Sequence, residues 1–145
     1  MVTLFCHFWL FFTCRLQIDN ALEVEHLLKH AISLGININM ILMGRGYLDA
    51  VVIRKVESFN MEYIIPARDN PKVLKYKKME MKHYDNGLSF PVIKDTISSG
   101  KESIKTNFVY IIYYPDRKRH VFSSYTIINV NEYNARELAE IYRER

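Results

Sequence analysis

The sequence predicts an α/β domain, a mixed sheet with helical crossovers that gives way to a β-rich second part. Three observations predict it. Apolar runs alternate with helical periodicities through the first 66 residues, the pattern of strands joined by crossover helices. Beyond residue 67, turn signals cluster at Asp69-Asn70-Pro71, Asp85-Asn86-Gly87 and Ser98-Ser99-Gly100, with aromatic-rich runs after them, as in antiparallel strands. The 145 residues are 49% hydrophobic and 25% charged, an ordinary globular balance that excludes a wholly disordered chain.

The first strand is expected over Leu4 to Leu16, where aromatic and β-branched residues dominate. The opening MVTLFCHFWLFFTC is shorter than a membrane-spanning helix and is interrupted by His7, and it lacks the basic start and small-residue cleavage site of a signal peptide. No membrane partner and a cytoplasmic location are therefore expected. Cys6 and Cys14 have no CxxC or Cys/His grid around them and read as small buried hydrophobes. A turn follows, where Asp19 or Asn20 can cap a helix with Glu23 in capping-box position. Leu22, Leu27, Leu28, Ala31, Ile32 and Leu34 supply its apolar stripe, and Gly35 ends it.

Ile36 to Met43 reads as a second strand, nearly all apolar in its later half, as a strand covered on both faces should be. Gly44-Arg45-Gly46 breaks the run. A helix is expected from Leu48 to Phe59, with Val52, Val56 and Phe59 inward, and then a strand from Met61 closed by Pro66. In the second part, Thr106 to Tyr114 and Lys118 to Ile128 read as strands joined through Pro115-Asp116-Arg117-Lys118. The aromatics Phe108, Tyr110, Tyr113 and Tyr114 are explained by core and surface alternation. A last helix is expected from Asn131 to Arg145, capped by Asn131 and carrying Tyr133, Leu138 and Ile141.

Charge is unevenly placed. Through residue 53 the net charge is −1, and over the remainder it is +5. Residues 68–82 hold six basic and two acidic residues. Such a run can track a phosphate backbone, and it can also be a solvated face. His26 and His30 stand four apart on the first helix, but HLLKH carries no intervening glutamate, so a solvated face is the preferred reading.

The stretch MILMGRGYLDAVVIRKVESFNMEYIIPARDN resembles the middle block of the DDE transposases of bacterial and archaeal insertion sequences. In that family an apolar strand ends in aspartate, followed by an Arg/Gly/aromatic trio, a helix and a Tyr-Ile-Pro-Ala strand. Arg45, Gly46 and Tyr47 match the trio. Tyr63, Ile64, Ile65, Pro66 and Ala67 match the later strand, and Leu34-Gly35-Ile36 fits the end of the preceding helix. The family's last motif is Tyr, two residues, Arg, three residues, Glu; Tyr142 and Arg145 match its first two members.

The resemblance implies a partial RNase H-like fold. It divides the chain into an α/β core part over 1–66, a β-rich insertion over 67–129 and the start of the final core helix over 130–145. It further implies a single catalytic-domain remnant, truncated at both ends. Intact relatives hold two Mg²⁺ ions between three carboxylates and use them to cut and join DNA. Here Gly44 occupies the expected aspartate position, the first carboxylate belongs to a strand upstream, and the glutamate would fall four positions past Arg145. No catalytic residue and no metal ligand is therefore expected. Asp49, five residues on, is expected on the following helix and is a poor substitute. The expected partners are DNA, bound weakly, and an intact transposase. Arg45, Lys72, Lys75, Lys77, Lys78, Tyr142 and Arg145 are the candidate DNA contacts.

Overall fold

A computed structural model describes residues 2–5, 19–79, 82–84, 87–89, 92–127 and 135–144. The strand order is β1(Val2–Phe5), β2(Ile38–Leu42), β3(Glu62–Pro66), β8(His120–Thr126), β7(Glu102–Tyr113), β5(Gly87–Ser89) and β4(Lys82–Tyr84), with β6(Ile93–Ser99) also on β7. β1, β2 and β3 run parallel, and β3 meets β8 antiparallel, with Pro66 opposite Ser124. The remaining pairs are antiparallel. This is the partial RNase H-like mixed sheet that the resemblance implies.

Helices α1(Asn20–Ser33) and α2(Ala50–Ser58) make the crossovers. Strand alternation divides the core in two. Ile41, Met43, Tyr63 and Ile65 point to α1 and α2. Met40, Leu42, Ile64, Val109 and Ile111 point to the opposite face, where Leu138 and Ala139 of α4(Ala135–Arg143) cover them. α3(Pro71–Tyr76) covers Phe108, Tyr110 and Tyr125 through Val73 and Tyr76.

Asp19, rather than Asn20, caps α1, its carboxylate accepting from the Ala21 N–H at 3.0 Å. Gly35, at φ +73°, closes the helix in a Schellman turn: its N–H reaches the Ile32 carbonyl and that of Ile36 the Ala31 carbonyl. The inward stripe is Ala21, Val24, Leu28 and Ala31, whereas Leu22, Ile32 and Leu34 are exposed. The expected stripe combined two faces, since Leu22 lies about 120° round the helix from Leu28. Asp49 caps α2 from outside it, accepting from the Val51 N–H at 2.8 Å. Its side chain therefore serves the backbone, which corrects its expected place on the helix.

The strand expected over Leu4 to Leu16 begins earlier, at Val2, and its course after Phe5 lies outside the described residues, as do Asn131 and Tyr133. Asn70, expected as a turn, caps α3 by accepting from the Val73 N–H, with Pro71 in the first turn, where its missing N–H costs nothing. The Ser98-Ser99-Gly100 signal does mark a hairpin, between β6 and β7, with Gly100 at φ +58°. The tip of that hairpin docks on α2: Ser99 Oγ accepts from the Ala50 N–H, and Arg54 binds the Ser103 carbonyl and Glu102. Glu25 of α1 joins the helices by pairing with Lys29 and Lys55, which holds its carboxyl down at about 2.

Candidate functional site

The site forms where the parallel strands β2 and β3 end. The last apolar residue after β2, Met43, is fully buried, and its N–H donates to the Ile64 carbonyl at 3.0 Å. Gly44 follows in extended backbone, φ −74° and ψ 164°, and begins a single 3-10 turn over Arg45–Tyr47. Two contacts fasten this turn to α1: the Tyr47 hydroxyl donates to the Glu23 carboxylate at 3.1 Å, and the Asn20 side-chain amide donates to the Gly46 carbonyl at 3.3 Å. Glu23, expected to complete a capping box, is turned instead toward this loop.

The end of β3 supplies the second wall. The Ala67 N–H donates to the Ser123 carbonyl at 2.8 Å, and Arg68 Nε donates to the Arg45 carbonyl at 3.3 Å. Asp69 lies next to Lys77, Nζ to Oδ1 2.6 Å, and this ammonium holds the Asp69 carboxyl below the usual range. Lys77 Nζ also stands 5.4 Å from the centre of the Tyr110 ring. The third wall is α4. The Tyr142 hydroxyl donates to the Met43 carbonyl at 3.3 Å, and the Tyr142 ring packs at 6.1 Å from that of Phe122. Arg45, Asp69, Lys77, Ser123 and Tyr142 line the resulting cleft of about 350 Å³.

The sequence candidates thus divide. Arg45, Lys77 and Tyr142 come together in this cleft. Lys75 and Lys78 are exposed on α3 and the turn after it. Lys72 leans away, pairing with Asp95 of β6 and donating to the Thr96 carbonyl at 3.2 Å. Arg145 lies outside the described residues. The basic run is therefore no single stripe, because a helix of six residues sends its lysines in different directions. His26 and His30 are both exposed.

Sequence reasoning missed the Lys72–Asp95 cluster. The Asp95 side chain is 2% exposed and accepts from the Thr96 N–H at 2.6 Å and the Tyr125 hydroxyl at 2.9 Å. Burial disfavours its charge, but Lys72, the Thr96 N–H and the Tyr125 hydroxyl together outweigh that and hold the carboxyl below its usual range. Burial, reinforced by Asp95, pushes the Tyr125 hydroxyl up. An aspartate as the third residue of the strand IKDTISS, at a buried position, was the one sign of it.

The residues at the end of β2 do not fit a divalent metal. Hard cations need several oxygen ligands. Gly44 offers no side-chain oxygen, Asp49 is occupied at the α2 cap, Glu23 binds Tyr47, and Asp69 binds Lys77. Among the described residues no three His, Cys, Asp or Glu side chains come together as a metal site would require. Nor does the backbone demand glycine at position 44: its φ is ordinary, and an added Cβ would meet nothing within 4 Å. No helix among the described residues is long and apolar enough to cross a membrane.

One comparison with known proteins is consistent with this architecture. A family model described as a transposase DDE domain matches residues 19–145, which include α1, the β2 end, the β-rich part and α4. No curated protein and no solved structure matches the chain. The family match spans most of the sequence and includes each element that builds the cleft, so the chain belongs to the transposase DDE domain family.

Proposed function

We propose that this chain is a transposition-related domain that does not cut or join DNA and keeps only a weak, sequence-independent contact with it. The observation that carries the reading is Gly44, which stands at the carboxyl end of β2 where family resemblance calls for a carboxylate. A two-metal phosphoryl transfer needs oxygen ligands that bridge both ions, and glycine removes one at the centre of the set. The nearest acid in sequence, Asp49, cannot replace it without uncapping α2. Magnesium belongs to the family's intact members; among the described residues no ligand set for it stands at the β2 end.

The contact with DNA is supported by the exposed Lys75 and Lys78 and by the cationic groups at the cleft. Binding through them falls with salt and ignores sequence. The test is a supercoiled-plasmid nicking and strand-joining assay with Mg²⁺ and with Mn²⁺. The expected result is no conversion above that of a metal-free control. Metal-dependent nicking by the purified chain would overturn the reading.

A further inference from the structure

The outer face of α1 carries two imidazoles that stand free. His26 and His30 are both exposed, and neither side chain has a hydrogen-bond or ion-pair partner among the described residues. They lie four residues apart, so the helix puts them on one side, about 40° apart around the axis and about 6 Å apart along it. That is the spacing at which two helical histidines can hold one ion. The backbone beneath the pair is fixed: Asp19 caps one end, Gly35 closes the other, and Val24, Leu28 and Ala31 bury the opposite face. An ion therefore meets two ligands whose relative position is already set, and no loop has to be ordered to bring them together.

The neighbouring charges leave room for a cation. Lys29, next to His30, is drawn to Glu25 at 2.8 Å, and Glu25 also holds Lys55 at 2.9 Å. Glu23, nearly one turn before His26, keeps a carboxylate nearby while it accepts from the Tyr47 hydroxyl. HLLKH lacks the glutamate of a metalloprotease helix, but that glutamate is a general base and not a ligand, so its absence removes hydrolysis and leaves binding.

We propose that His26 and His30 form a surface chelate for one late first-row transition ion, Zn²⁺, Ni²⁺ or Cu²⁺, with water in the remaining positions. Neutral imidazole suits these ions, whereas Mg²⁺ and Mn²⁺ prefer oxygen ligands. The pair therefore differs from the β2 end in place and in ligand chemistry, and the proposal does not depend on the proposed function. No third His, Cys, Asp or Glu side chain joins the pair among the described residues, so the ion is held less tightly than in a four-ligand structural zinc site. Only the folded helix sets the spacing, so a bound ion stabilises the fold by mass action.

The experiment is a calorimetric titration of the full chain with ZnCl₂, in a buffer that does not bind zinc. His26→Gln and His30→Gln are each expected to weaken binding about a hundredfold, because the second ligand of a chelate acts at high effective concentration. His120→Gln, on β8, should leave it unchanged. The double variant His30→Gln/Ser33→His keeps the number of histidines on α1 but sets them two turns, about 10 Å, apart. It should bind as weakly as the single variants. His26, His30 and Ser33 are exposed, so these exchanges leave the core intact, and circular dichroism checks this.

Zn²⁺ should also raise the urea midpoint of the wild type relative to that of His26→Gln/His30→Gln. No zinc binding by the wild type, or equal binding by the wild type and His26→Gln/His30→Gln, would overturn the proposal. Undiminished binding by His30→Gln/Ser33→His would overturn it too, because separate imidazoles would then suffice. Nicking assays with Mg²⁺ or Mn²⁺ bear on the proposed function alone.

Discussion

The Tyr142 hydroxyl donates to the Met43 carbonyl at 3.3 Å, across 99 residues of sequence. This bond joins the last helix to the end of the middle strand, one residue before Gly44. Two motifs far apart in the chain therefore meet in space, as they must if α4 closes the sheet over the family's catalytic position.

Removing that hydroxyl tests the docking. Tyr142→Phe keeps the ring against Phe122 and loses the hydrogen bond, so it should lower unfolding free energy by about 1 kcal/mol. Tyr142→Ala should cost more, because the ring contact is lost as well. Urea midpoints at constant slope measure both. Identical midpoints for wild type and both variants would mean that α4 does not dock there.

Gly44→Asp tests whether the glycine serves the fold. Its backbone suits any residue and its Cβ position is open, so the variant should stay within about 1 kcal/mol of wild type. It should also remain without nicking activity, since one carboxylate does not assemble a two-metal site. Restored cleavage would show that the other ligands are already in place.

Asp95 predicts how the fold responds to acid. Its carboxyl is depressed in the folded state, so its stabilising contribution is present above the ordinary aspartate pKa and is lost as pH falls through the lower folded value. Asp95→Asn should therefore flatten the pH dependence of stability in the acid range below about pH 4. Asp95→Ala should cost about 2–3 kcal/mol at neutral pH, because the buried Tyr125 hydroxyl loses its acceptor. Lys72 is about half exposed and can turn to water, which keeps the loss below that of a fully buried pair. Denaturation curves across pH give both quantities.

Gly35→Ala tests the close of α1. At φ +73° a side chain is strained even though the space around it is open, so the variant should lose about 1 kcal/mol in urea denaturation. No loss would mean that α1 ends elsewhere.

Much of the first half was legible because long periodic signals decide it. The MILM run gives β2, Gly35 and Pro66 end their elements, and the strand-helix alternation gives the parallel β1, β2 and β3. Short elements carried less signal. α3 has six residues, too few for a helical period, and its Asn70-Pro71 start is also a turn signal. The stripe on α1 was misread because Ala21 and Val24 take the inward face beside Leu28 and Ala31, while the larger Leu22, Ile32 and Leu34 stay outside. Of the cleft, Arg45 and Tyr142 were legible through motifs. Lys77 was legible through the basic run, whereas Ser123 depends on β8 pairing with the end of β3, which local sequence does not encode.

On the proposed function, the β2 end holds no divalent cation although it is built on a transposase fold. The most direct test of this is an Mn²⁺ titration followed by paramagnetic broadening of the Met43–Tyr47 amide resonances. No saturable broadening is expected at these positions. Saturable broadening centred on Gly44 would overturn this reading, because a metal site would then exist where the described residues offer no ligand set for one.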